Sequence, residues 1–206
     1  MWGIGYNAET DVLPDFPDVL SDLQSPQPAL TKTRYEENLE FVFPPPILLL
    51  GVPFAHVQMK DAVAEIERMI GTRKPHYVVT ANVDFLVQSM HDEELHRIML
   101  EADQVVCDGT PLIWSSRLLG NPLPERVAGA DLVPLLLSKS AEKGYRIFFL
   151  GGEQSVAERA VENVRAKYPG VQICGHYSPP FKPLLEMDHD DIIARVQAAR
   201  PDILLV

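Results

Sequence analysis

Cysteine is scarce: Cys107 and Cys174 are the only two in 206 residues. Each stands beside a strongly apolar run, which suits reduced, buried thiols in a cytoplasmic protein better than a disulfide framework or a zinc site. Positive charge is also short. Eighteen Lys and Arg face twenty-nine Asp and Glu, a net charge of −11. The chain therefore lacks the basic footprint of broad nucleic-acid binding and a general positive field for anionic lipid, although a local basic patch stays open. The longest uncharged apolar run, residues 41–55, falls short of the roughly 20 residues of a spanning helix. Prolines at 44, 45, 46 and 53 would break such a helix in any case. The N-terminal residues carry neither the basic nor the apolar region of a signal peptide. A soluble intracellular protein is expected. With 46% apolar and 23% charged residues, wholesale disorder is excluded.

What is present divides in two. Residues 1–46 hold seven of the eighteen prolines and eight acids against two bases, Lys32 and Arg34, hence −6 of the net charge. Proline at that density removes backbone donors, and the acids repel one another. This stretch reads as an acidic, proline-rich extension, partly disordered, whose short apolar clusters could strap onto a core. Residues 47–206 read as that core.

There the pattern alternates. Residues 47–51 form a short apolar run. Met59, Ala62, Val63, Ile66, Met69 and Ile70 then share one helical face. Strands are expected at 76–80, 104–107, 146–150, 171–174 and 203–206. Helices are expected within 83–102, over 110–120 with Thr110 as N-cap and Pro111 first in the helix, over about 130–143, along the stripe 156–164, and after Asp188. Short apolar strands between amphipathic helices imply an α/β, Rossmann-like fold, a mostly parallel sheet with helices on both faces. The chain stops at Val206 on a buried-looking strand, so the core is expected to be truncated at its C-terminus.

Open parallel sheets bind ligands beyond the carboxyl ends of their strands. That rule selects residues 80–84, 108–111 and 151–154. Asp108 is the sharpest candidate, a carboxylate directly after a buried strand, with Gly109 allowing close approach. The alternative is that Asp108 caps the following helix. Gly151-Gly152, before Glu153, could aim backbone N–H groups at a phosphate, or form a plain tight turn. They match neither G-x-G-x-x-G nor the P-loop. Arg126 could supply a bidentate cation for a diphosphate, or be an ordinary exposed arginine. Asp188-His189-Asp190 is a literal D-x-D, but its place before a helix favours capping over metal binding. No H-E-x-x-H and no G-x-S-x-G occurs.

The segments T-A-N-V-D-F (80–85), C-D-G-T-P-L-I-W-S-S-R-L-L-G (107–120), P-L-P-E-R-V-A-G-A-D-L (122–132), K-G-Y-R-I-F-F-L-G-G (143–152) and Y-P-G (168–170) closely resemble the WecG/TagA/CpsF glycosyltransferases in order and spacing, over about 47–206. The resemblance implies an inverting bacterial enzyme that moves a sugar, N-acetylmannosamine or a related hexose, from a UDP-sugar to a polyprenyl-diphosphate-linked saccharide. Such an enzyme serves polysaccharide or teichoic-acid-type assembly at the inner face of the cell membrane, with no metal or other cofactor. It implies Asp108 as catalytic base, Thr80 and Asn82 as substrate-orienting residues, and Arg126 as a contact to substrate or diphosphate. Gly109, Gly151, Gly152 and Glu153 complete the expected substrate-binding set. Two departures stand out. The family's glycine-containing segment with P-K-Q-E and its C-terminal appendage are absent, so weak donor binding or inactivity is expected. The extension over 1–46 is not shared. A non-catalytic UDP-sugar-binding homologue and a dinucleotide-dependent oxidoreductase are the competing readings. Retention of the four matched polar residues argues against the first, and the missing glycine fingerprint against the second. A homo-oligomer remains open.

Overall fold

The computed structural model describes residues 44–183 and 186–206. Nearly all of the expected extension lies outside these residues. Strands β1 (Ile47–Leu49) and β2 (Val52–Phe54) form an antiparallel hairpin, Ile47 opposite Phe54 and Leu49 opposite Val52. Leu50 and Gly51 turn it, both at positive φ (48° and 85°), the backbone a two-residue hairpin requires. Alternation places Ile47, Leu49, Val52 and Phe54 in the core. The single expected run is thus a hairpin, whose second strand Pro53 disguises.

Helix α1 (Met59–Gly71) buries Ala62, Val63, Ile66 and Met69, the expected stripe. Strands β3 (Val78–Ala81) and β4 (Gln104–Cys107) pair in parallel, Val79 opposite Val105. Helices α2 (Val83–Ser89) and α3 (Glu93–Glu101) connect them, and α4 (Thr110–Leu118) and α5 (Gly129–Lys143) follow. The two faces of β4 go to different cores. Val105 and Cys107 pack with Leu86 of α2, Met99 of α3 and Leu112 of α4. Val106 packs with α1 and with Leu132 and Leu136 of α5. The Ala55 N–H reaches the Val105 carbonyl (2.8 Å), so the chain leaving the hairpin runs beside β4. One expected cap is corrected: Gly109 is the N-cap of α4, and Thr110 and Pro111 are its first two helical residues.

Strand β5 (Arg146–Leu150) lies between β6 (Gln172–Tyr177) and β7 (Ile203–Leu205), parallel to both. Helix α6 (Gln154–Lys167) links β5 to β6, and α7 (His189–Ala199) precedes β7. Strand β6 runs past the expected end at residue 174: after a register shift that skips Cys174, Gly175-His176-Tyr177 pairs with Phe148-Phe149-Leu150. Gly175 is required there, since a Cβ would lie 2.6 Å from a Phe148 ring carbon. The strands divide into one antiparallel hairpin and two parallel sets. The fold is α/β and Rossmann-like, parallel wherever helices intervene. Asp188 caps α7 as expected, accepting from the Asp191 N–H at 3.0 Å.

Candidate active site

The carboxyl ends of β3 and β4 stay in register one residue further, the Asp108 N–H donating to the Ala81 carbonyl (2.9 Å). The carbonyl of Cys107 accepts from the Val127 N–H (2.8 Å), which draws the loop 121–128 alongside. Three anchors fix that loop. The buried Leu123 donates its N–H to Ser116 Oγ (2.9 Å), Glu125 Oε2 accepts from the Met59 N–H at the start of α1 (2.9 Å), and Val127 holds β4. Arg126 is therefore pinned by both neighbours.

The loop delivers α5 with its first residue, Gly129, against the strand ends. The Gly129 N–H donates to Asp108 Oδ2 at 3.0 Å. A Cβ at Gly129 would stand 3.2 Å from Thr80 Oγ1, so the missing side chain lets the helix end seat on Thr80. Arg126 Nη1 lies 3.6 Å from Asp108 Oδ1, and its Nη2 lies 2.5 Å from Asp131 Oδ2. Asn82 Oδ1 caps α2 by accepting from the Phe85 N–H (3.0 Å), and a Cβ at Gly109 would meet Asn82 at 3.9 Å, an ordinary contact. Thr80, Asn82, Asp108, Gly109 and Arg126 thus share one end of the β3–β4 pair. Asp108 does cap a helix, but α5 rather than the α4 that follows it.

Chemically this is a partly exposed carboxylate with one oxygen fixed by a backbone N–H and the other facing a guanidinium. The positive end of α5 reinforces that local cationic character. Behind it, Cys107 is buried and donates its thiol to the Gly109 carbonyl. Burial foremost, and the Asp108 charge behind it, push that thiol up from its ordinary range. Cys174 is only half-buried, less than expected, and donates to the Ile147 carbonyl at 3.2 Å.

Gly151, Gly152 and Glu153 sit at the end of β5 and bond elsewhere. The Gly151 N–H reaches the Tyr177 carbonyl (2.9 Å), its carbonyl accepts from Ser178 Oγ (3.3 Å), and Glu153 Oε1 accepts from Ser155 Oγ (3.0 Å). Both glycines have positive φ (104° and 71°), with no atom near a would-be Cβ. Conformation rather than close packing requires them. Beside this turn lies a group the sequence did not announce. Asp191 Oδ2 accepts from Tyr177 Oη and Arg195 Nε, both at 2.8 Å, and the Arg195 guanidinium stands 4.4 Å over the Tyr177 ring. Among the described residues, no three His, Cys, Asp or Glu side chains gather as a metal site. No helix among them is long and apolar enough to cross a membrane.

Gly129 and Glu125 are the contributors that residue-by-residue reading missed. Their shared signal is the unbroken P-E-R-V-A-G-A-D run entering a helix.

The model of the glycosyl transferase WecG/TagA/CpsF family matches residues 47–206. An N-acetylglucosaminyldiphosphoundecaprenol N-acetyl-beta-D-mannosaminyltransferase of Bacillus spizizenii is 29% identical over 154 residues, 74% of this chain and 58% of that protein. The protein of the same name from Staphylococcus aureus strain MRSA252 is 23% identical over 160 residues, 77% of this chain and 61% of that protein. The chain thus spans about three-fifths of the length of these relatives.

Proposed function

This chain belongs to the glycosyl transferase WecG/TagA/CpsF family, and we propose that it carries the catalytic core of an inverting transfer from a UDP-sugar to a polyprenyl-diphosphate-linked saccharide. The relatives' names supply the reaction: N-acetylmannosamine onto N-acetylglucosaminyl-diphosphoundecaprenol. The observation that carries the reading is Asp108, at the carboxyl end of a buried parallel strand, with Oδ2 fixed by Gly129 and Oδ1 left for a reacting proton.

In the proposed step an acceptor hydroxyl oxygen bonds to the anomeric carbon from the face opposite UDP. Its proton passes to Asp108, and the carbon–oxygen bond to UDP breaks with the electron pair leaving on the diphosphate. Arg126 and the N-terminal end of α5 offset that developing negative charge without a metal. Thr80 and Asn82, on the same strand ends, orient substrate. A lipid-linked acceptor places the work at the inner membrane surface by peripheral association. Turnover of Asp108→Asn with UDP-N-acetylmannosamine and a lipid-linked acceptor tests the reading. General-base help is worth about 10²–10⁴-fold, and turnover within a few-fold of wild type would remove Asp108 as the base.

A further inference from the structure

Arg126 divides its guanidinium between two carboxylates unequally. Nη2 makes a 2.5 Å contact with Asp131 Oδ2, whereas Nη1 stays 3.6 Å from Asp108 Oδ1, beyond a good hydrogen bond. Left with Asp108 alone, a guanidinium would pair bidentately, its preferred mode with a carboxylate. Loop anchors at Glu125 and Val127 fix the Arg126 backbone, and the nearer of the two carboxylates to its fork is Asp131. Asp131 is well placed for this. It stands in the first turn of α5, where the helix field favours a negative charge.

We propose that Asp131 is a positioning residue which draws Arg126 away from Asp108, keeping Oδ1 open and the carboxylate basic enough to take the acceptor proton. The inference rests on Asp108 being the base. Its physical core is separate: without Asp131, Arg126 closes onto Asp108, which becomes a weaker base. The charged and titratable groups shown around Asp108 are Arg126, Asp131 beyond it, and the buried Cys107 thiol behind it, with the Gly129 N–H on Oδ2.

The test is a double-mutant cycle read by carboxyl-carbon NMR titration of Asp108 in this chain. Asp131→Asn should lower the Asp108 midpoint, because a newly close guanidinium favours the charged carboxylate. Part of that fall is simply the loss of a neighbouring negative charge. The same change in an Arg126→Gln background measures that part alone and should give a clearly smaller fall, while Asp131→Glu should stay near wild type. Equal falls in the two backgrounds, or none, overturn the proposal.

In the transfer assay Asp131→Asn should cut turnover several-fold at neutral pH. The acid limb of its rate profile, where the base becomes protonated, should move to lower pH. A loss of rate with an unmoved limb would mark Asp131 as merely structural. The base assignment fails by a different result, retained turnover in Asp108→Asn, which leaves the titration cycle untouched.

Discussion

Two parallel-strand ends of the same fold carry polar clusters of similar make-up and different geometry. Beyond β3 and β4, Asp108, Arg126 and Asp131 are linked by one good contact and one long one. Beyond β6, Tyr177, Asp191 and Arg195 close on each other, with two bonds of 2.8 Å to one carboxylate oxygen and the guanidinium stacked on the ring. The second group closes on a single Asp191 oxygen and ties β6 to α7. The first leaves Asp108 Oδ1 3.6 Å from the guanidinium that faces it. What separates the two ends is geometry: one guanidinium is divided between two carboxylates, the other is closed onto a single one.

The largest expected break is Asp108→Asn. About 10²–10⁴ in turnover corresponds to roughly 3–5 kcal/mol of transition-state stabilisation, without loss of the fold, because an amide oxygen can still accept from Gly129. Thermal melting should show a near-native midpoint beside an activity loss. Comparable damage from Asp191→Asn would erase the distinction between the two ends.

The next effect is structural and belongs to the second end. In Gly175→Ala a Cβ would sit 2.6 Å from the ring of Phe148, which is 3% exposed and has little room to move. Overpacking of this kind costs about 1–3 kcal/mol, and a domain of this size loses about 2–4 °C in melting temperature for each kcal/mol. Phe148→Leu in the same background should recover most of the loss. Recovery by Phe148→Leu identifies the ring as the cause; an undiminished loss would place the strain elsewhere in β6.

The contrast also marks where the sequence is legible. Elements whose evidence is local could be read directly: β4 and β5 as apolar runs, the α1 stripe at helical spacing, Asp188 as a cap. Asp108 and Arg126 could be read as site candidates because strand ends and loops advertise themselves. Their arrangement could not. Gly129 meets Asp108 across 21 positions of sequence, and Glu125 meets Met59 across 66, contacts made by tertiary packing alone. The β1–β2 hairpin was hidden by Pro53, and the continuation of β6 by the polar look of Gly175-His176-Tyr177. Thr110 looked like the cap of α4 because threonine before proline usually is, yet the cap lies one residue earlier, at a bare glycine.

A smaller effect follows from the charge of the closed group. Arg195 first, and Tyr177 second, hold the Asp191 carboxyl below its ordinary range. A carboxylate with a depressed folded value stabilises the fold above its unfolded value, and that contribution is lost as pH falls through the folded value. The melting-temperature gap between wild type and Asp191→Asn should therefore narrow on acidification below the usual carboxylate range. It should also shrink in high salt, because the Arg195 side of the pair is solvent-exposed. A gap independent of pH would mean that Asp191 acts by hydrogen bonding alone.

The smallest expected effect is that EDTA leaves UDP binding unchanged, and it bears most directly on which end holds the diphosphate. At the β3–β4 end a cation is built in, since Arg126 stands beside the positive terminus of α5 and presents a planar fork suited to phosphate oxygens. At the α7 end a cation would have to be recruited by Asp188 and Asp190. Asp188 already gives Oδ1 to the Asp191 N–H at 3.0 Å, and both residues sit where a helix start itself favours negative charge. Calorimetric titration of UDP should give the same affinity with EDTA and with added Mn²⁺, and a lower one in Arg126→Gln. An affinity that falls in EDTA, returns with Mn²⁺ and is abolished by Asp190→Asn would move the diphosphate to the α7 end. The open geometry around Asp108 would then need another ligand to account for it.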